Sequence, residues 1–324
     1  MQDSSASDTT APAGAVAIVG AGSIGTAWAT LFSGAGRTVL LHDPDPERLR
    51  RAVHEAAAAL GGLSRAGLLA GEPAEAARRI MAAGRLEDAV GQAGYVQECA
   101  PEDVVLKTEL FAALDEAAPP DAVIASSSSF LPASAFASNL PGRSRILVVH
   151  PGNPPTLLRI AEIVPAPFTD PACVGRTRAL LEDCGMSTVV VRREVEGFVF
   201  NRLQGALLRE AWALVADGVA EPDEIDRIVR NGLGLRWAAI GPFETSDLNT
   251  RGGIRAHAAR MLPAYARMGE ERGMTAAPWT PEVVDRVVAD RRARLPLEGW
   301  AERVAWRDRI LALLLAARRK GDDA

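Results

Sequence analysis

His150 closes the apolar run Ile146-Leu147-Val148-Val149 and opens the turn Pro151-Gly152-Asn153-Pro154-Pro155. Twelve positions on, Glu162 stands inside a second strand-like run, Ile160-Ala161-Glu162-Ile163-Val164. A carboxylate on a half-buried strand needs a partner, because burying a lone charge is expensive. Two short strands joined by a Pro-rich turn can supply His150 as that partner. An imidazole whose second nitrogen is held by a carboxylate is oriented and kept basic, as a general base requires.

A second group of residues points to a dinucleotide. Gly20-Ala21-Gly22-Ser23-Ile24-Gly25 follows the apolar strand Ala15–Val19 and opens a helical pattern. The glycines suit a tight turn, close approach of backbone to a pyrophosphate, and close packing of helix on strand. Backbone N–H groups of Gly22, Ser23 and Ile24 at the helix start then face phosphates. Eighteen residues after Gly25, at the end of the second strand, stands Asp43. An acid there accepts both adenine-ribose hydroxyls and repels a 2′-phosphate, and Pro44-Asp45-Pro46 supplies no arginine for one. NAD is expected over NADP. Ser126-Ser127-Ser128-Ser129 follows the strand Val123–Ala125, either as a polar linker or with one hydroxyl donating to substrate beside the nicotinamide. Asn201 lies one turn into a long apolar helix, where its amide needs a partner. Arg236, in the run Gly232-Leu233-Gly234-Leu235-Arg236-Trp237, is either a surface charge or a fork for a substrate carboxylate.

The elements that must hold these residues alternate. Strands are expected at Val16–Val19, Thr38–Leu41, Tyr95–Gln97, Val123–Ala125, Ile146–Val149, Ile160–Val164 and Thr188–Val191. Helices are expected at Ile24–Gly34, Pro46–Leu60, Val104–Ala117 and Pro171–Cys184, with a helical excursion between Gly61 and Gly94 that includes Pro73–Ala83 and Leu86–Val90. Short, wholly apolar strands in such alternation mean a mostly parallel sheet covered on both faces. From Gly197 onward the pattern turns helical: Gly197–Ala216, Glu221–Asn231, Gly253–Glu271, Thr280–Leu295 and Glu298–Lys320. Asp223 and Thr280-Pro281 read as helix starts, and Gly218, Gly232 and Gly273 as stops. The fold class is α/β, an N-terminal Rossmann-type doubly wound sheet followed by an all-helical C-terminal domain. The domains are a disordered tail over 1–14, a dinucleotide-binding domain over 15–196 and a helical substrate and dimerisation domain over 197–324, with substrate expected between the last two.

Composition narrows the classes. The chain has 324 residues, 48% hydrophobic and 24% charged, with a net charge of −5 that argues against a nucleic-acid partner. Cys99, Cys173 and Cys184 are too few and scattered for a disulfide framework or a zinc site, so no metal is expected. No apolar run reaches the roughly 18 residues of a membrane span, and Ile310–Ala317 is short and flanked by charge. No targeting segment is read, and the chain is expected to be cytoplasmic.

These residues together resemble the 3-hydroxyacyl-CoA dehydrogenase superfamily, and within it the branch of lambda-crystallin and L-gulonate 3-dehydrogenase. The resemblance runs from Val16 past Arg307. It is carried by Gln97–Asp103, His150–Pro155, Glu162–Pro165, Gly197–Gln204, Glu210–Trp212, Gly232–Glu244 and Val304–Asp308. It implies His150 as catalytic base with Glu162 as its partner, Ser129 among the four serines and Asn201 as substrate-binding residues. It implies NAD contacts from Gly20, Gly22, Gly25, Asp43, Glu102, Lys107 and Asn153, and a homodimer joined through the helical domains. Fatty-acyl-CoA members have Asn at the position of Ser127 and Ser at that of Phe130. They also carry basic residues where this chain has no lysine between Leu60 and Gly94. The expected activity is therefore NAD-dependent oxidation of the 3-hydroxyl of a small polar hydroxy acid, with L-gulonate the leading candidate. A 3-hydroxyacyl-CoA dehydrogenase is the alternative, and a non-catalytic crystallin-like or NAD-sensing protein a further one. A lysine-dependent β-hydroxyacid dehydrogenase does not match the His–Glu constellation.

Overall fold

The computed structural model describes residues 11–273, 281–304, 306 and 317. Residues 1–10 of the expected tail, Thr280 and most of the expected helix Glu298–Lys320 lie outside them, as do parts of Val304–Asp308. By internal packing the chain divides into two compact units, Met1–Leu207 and Leu208–Ala324. The boundary expected at Gly197 falls at the turn before one helix, Phe200–Ala216, and the packing division falls within that helix.

The first unit is built on β1 (Ala15–Val19), β2 (Val39–His42), β3 (Ile80–Ala83), β4 (Ala93–Glu98), β5 (Val123–Ser126), β6 (Ile146–Pro151), β7 (Ile160–Pro165) and β8 (Ser187–Val190). Among the described residues they form one sheet in the order β3-β2-β1-β4-β5-β6-β7-β8, parallel except for the antiparallel β6–β7 pair. Its helices are α1 (Ser23–Gly34), α2 (Pro46–Arg65), α3 (Pro73–Arg78), α4 (Leu86–Val90), α5 (Val104–Ala117), α6 (Ser134–Ala137) and α7 (Pro171–Asp183). Alternate residues of each strand serve the two faces. Val16, Ile18, Val123 and Leu147 pack with Trp28 and Phe32 of α1, while Ala17, Val19, Ile124 and Val148 pack with Phe111 and Leu114 of α5. Both faces are thus covered, which is why the strands carry no polar alternation. The strand order reverses between β1 and β4, so the loops leaving their C-terminal ends open a crevice there.

Three expectations are corrected in this unit. Pro73–Ala83 is not one helix: α3 stops at Arg78, and Ile80–Ala83 is the edge strand β3 on β2. Four residues of either type fit both periods, and only the pairing with β2 decides. Helix α2 runs on past Gly61-Gly62 to Arg65 because Leu63 is buried beyond them. The last residues of the expected tail are folded, since Pro12 is buried and Ala11 packs on the core. Gly94 makes room there, as a Cβ on it would lie 1.8 Å from the Ala13 carbonyl oxygen.

The remaining helices are α8 (Phe200–Ala216), α9 (Pro222–Ile228), α10 (Gly234–Trp237), α11 (Pro242–Leu248), α12 (Gly253–Glu271) and α13 (Pro281–Arg294). Gly218 and Gly273 end their helices with φ of +68° and +72°, the left-handed stop expected of them. Gly232 does not stop its helix, because a π-helical turn over Val229–Leu233 carries α9 on into α10. Helix α9 is capped at Glu221 rather than Asp223: Pro222 takes the first position, and Glu224 accepts the Glu221 N–H at 3.0 Å.

Candidate active site

The crevice beside β1 is a cleft of about 490 Å³. Gly20 has φ +105°, and a Cβ there would meet the Cys99 carbonyl at 2.8 Å, so the first glycine is obligatory. A Cβ on Gly25 would lie 1.8 Å from the Gly20 carbonyl oxygen, so the third glycine sets how closely α1 sits on the turn. Gly22 has nothing within 4 Å of its missing Cβ. That open space at the N-terminus of a twelve-residue helix suits a pyrophosphate. Ser23 and Ile24 line the same cleft, with an apolar wall from Leu86, Pro101, Leu106 and Leu110 suited to an adenine.

Asp43 lies at the mouth of the glycine turn and is buried. Its Oδ2 accepts the Ala21 N–H at 2.8 Å and its Oδ1 the Asp45 N–H at 2.9 Å. Each oxygen keeps a lone pair for a ribose hydroxyl. Arg48, which the sequence reading passed over, also lines this cleft. Its Nη1 is 3.6 Å from Asp43 Oδ2. The thiol of Cys99, which also lines the cleft, is pushed by burial up to about 12, so it is neutral at physiological pH.

The serine run is a built loop, which decides against a polar linker. Ser126 donates to Glu98 Oε2 at 2.6 Å. Ser127 Oγ accepts from Trp28 Nε1 at 3.1 Å and Gln97 Nε2 at 2.8 Å. Ser128 donates to Glu102 Oε1, which also takes the Phe130 and Leu131 N–H groups at 2.6 and 2.8 Å. Burial pushes the Glu102 carboxyl up, but the Ser128 hydroxyl and the N–H groups of residues 129–131 outweigh it and hold it below the usual carboxylate range. Three of the four hydroxyls are thus spent on the loop itself. The Ser129 hydroxyl is the one with no protein partner among the described residues.

Lys107, expected as a cofactor contact, is fully buried, with Nζ 2.8 Å from both oxygens of Glu98 and Ser126 Oγ at 3.4 Å. Its ammonium protons are spent beneath the serine loop. Glu102, also expected as a cofactor contact, clasps the serine loop through Ser128, Phe130 and Leu131. Asn153 is exposed just beyond β6. Gln97, Glu98 and Trp28 were missed as residues that build this loop, and only the stretch Gln97–Asp103 had marked the neighbourhood of the first two.

His150 and Glu162 are directly opposed in the β6–β7 register. His150 Nδ1 lies 2.8 Å from Glu162 Oε2, both side chains buried. Glu162 Oε1 accepts the N–H groups of Val199 and Phe200 at 2.7 and 3.1 Å, at the start of α8. Phe198 and Phe200 set their rings 5.7 and 6.0 Å from the imidazole. Phe198 is held at φ +49°, a strained value for a bulky residue that local packing must enforce. One turn on, Asn201 Nδ2 donates to the Ser129 carbonyl at 3.1 Å. One carboxylate therefore orients the imidazole and fixes the helix that carries Asn201 to the serine loop. Arg236 lies in the other unit, on α10, half-buried, and among the described residues its Nε lacks a partner.

Residues 15–195 match the 3-hydroxyacyl-CoA dehydrogenase NAD binding domain, and residues 197–294 the C-terminal domain of the same family. The chain belongs to the 3-hydroxyacyl-CoA dehydrogenase family. It is 36% identical over 316 residues to lambda-crystallin of Oryctolagus cuniculus, covering 95% of this chain and 97% of that one. It is 39% identical to L-carnitine dehydrogenase of Streptomyces coelicolor, covering 95% and 96%. The fold matches the solved 3-hydroxyacyl-CoA dehydrogenase of Archaeoglobus fulgidus with a TM-score of 0.72 at 24% identity, over 93% of this chain and 99% of that one. As a member of this family the protein is an NAD-dependent oxidoreductase acting on a CH–OH group. No described helix is long and apolar enough to cross a membrane.

Proposed function

We propose that the protein oxidises the 3-hydroxyl of a small, free hydroxy acid, in the manner of an L-gulonate 3-dehydrogenase. The observation that carries this reading is the His150–Glu162 pair, whose Nδ1 contact leaves Nε2 to act on substrate. An ionised Glu162 keeps the proton on Nδ1, so Nε2 is a free acceptor. Nε2 takes the hydroxyl proton as the hydride leaves C3, and Glu162 offsets the imidazolium charge. NAD, when bound, supplies the hydride acceptor. Ser129 donates to the substrate oxygen, and Asn201 fixes the loop that presents Ser129. The glycine turn and Asp43 hold the cofactor. Arg236, half-buried with its Nε unpartnered among the described residues, is the candidate for the substrate carboxylate.

A free acid is favoured over a CoA thioester by relatives at 36–40% identity. They include L-carnitine dehydrogenases, named for a free 3-hydroxy acid. The discriminating experiment is NADH production across L-gulonate, 3-hydroxybutyrate, L-carnitine and 3-hydroxybutyryl-CoA. Turnover of the thioester far above every free acid would replace this reading with the acyl-CoA one. A homodimer through the helical unit is supported by the exposed apolar side chains Leu208, Trp212 and Ile228 on α8 and α9. Sedimentation of the wild type as a dimer and of Trp212→Asp as a monomer is the expected result, and a monomeric wild type would remove that part.

A further inference from the structure

Among the described residues that line the cofactor cleft, Arg48 carries the one permanent positive charge. It sits in the first turn of α2, where a cation opposes the helix dipole. Its neighbours Arg50 and Arg51 pair along the helix with Glu47 and Glu55. Arg48 turns instead to Asp43, at 3.6 Å. That separation is a charge contact too long for a hydrogen bond, so the guanidinium N–H groups remain uncommitted. Asp43, for its part, already spends one lone pair of each oxygen on the N–H groups of Ala21 and Asp45.

We propose that Arg48 makes this cleft tolerant of a phosphate on the adenine ribose 2′-oxygen, so that the protein binds NADP as a weaker second cofactor. The acid that receives the ribose hydroxyls is what refuses a 2′-phosphate, by like-charge repulsion. Here the same carboxylate has a guanidinium beside it, which lowers the repulsion and offers a planar pair of donors to the phosphate oxygens. NAD needs only Asp43, and NADP needs Arg48 as well. The two residues are close enough that one ribose position meets both.

The test is binding rather than turnover: fluorescence titration of NADH and NADPH into the wild type, Arg48→Lys and Arg48→Gln. NADPH is expected to bind the wild type saturably but more weakly than NADH. Arg48→Gln should weaken NADPH by about tenfold or more, the loss of a charge-assisted pair, while NADH shifts by less than about threefold on the same scale. Arg48→Lys, which keeps the charge without the fork, should fall between. Added salt should weaken NADPH more steeply in the wild type than in Arg48→Gln. No saturable NADPH binding to the wild type overturns the proposal. So does equal weakening of both cofactors, total loss included, because an arginine that only stacks on adenine or only supports the fold would act on both alike.

Discussion

Glu162 divides its two oxygens: Oε2 faces His150 Nδ1 at 2.8 Å, while Oε1 takes the N–H groups of Val199 and Phe200. This division makes a glutamine at 162 a poor substitute. Its carbonyl oxygen is claimed by two N–H donors, so the amide NH₂ must face the imidazole and donate to Nδ1. The ring is then forced into the tautomer with its proton on Nε2, which cannot accept a substrate proton. Glu162→Gln should therefore lower kcat by about 10³–10⁴-fold, the scale of a wrong tautomer, with NADH affinity and folding retained. A kcat within a few-fold of wild type would show that Glu162 does not govern the ring.

Asp43 is the cofactor counterpart. Asp43→Ala removes charge-assisted bonds to the ribose worth about 1.5–3 kcal/mol each. It also frees the Ala21 N–H that now shapes the glycine turn. NADH affinity, read by fluorescence titration, should fall tenfold or more by the same scale. A wild type that prefers NADP would refute the reading of Asp43.

Substrate class is tested at Arg236, whose Nε is buried without a partner among the described residues. Leaving such a group unsatisfied is costly, and a small hydroxy acid has a carboxylate to satisfy it. Arg236→Met should raise KM for the best free acid by roughly tenfold or more and leave NADH affinity unaltered. An unchanged KM would exclude Arg236 as the carboxylate handle.

Local chemistry made much of this legible. The Gly20–Gly25 turn, Asp43 and the His150–Glu162 pairing each follow from residue type, spacing and the cost of burying a charge. Strands of the core were readable because each is a short apolar run. What escaped depended on pairing across the sheet. The strand Ile80–Ala83 is defined by β2, and the separate tasks of the four serines by Glu98, Gln97, Glu102 and Trp28, all distant in sequence. The Lys107–Glu98 pair escaped for the same reason, since only the fold brings Glu98 to that ammonium. Arg48 stands two residues past Pro46, and only the turn of α2 brings its guanidinium back to Asp43.

The central claim is that His150 is the base acting on substrate. His150→Gln separates chemistry from cofactor binding within one protein, because the histidine touches Glu162 and two aromatic rings rather than the glycine turn. Single-turnover NADH formation with the best substrate of the panel should fall by about 10²–10⁴-fold, with NADH affinity within a few-fold of wild type. Near-normal turnover by His150→Gln would contradict the account.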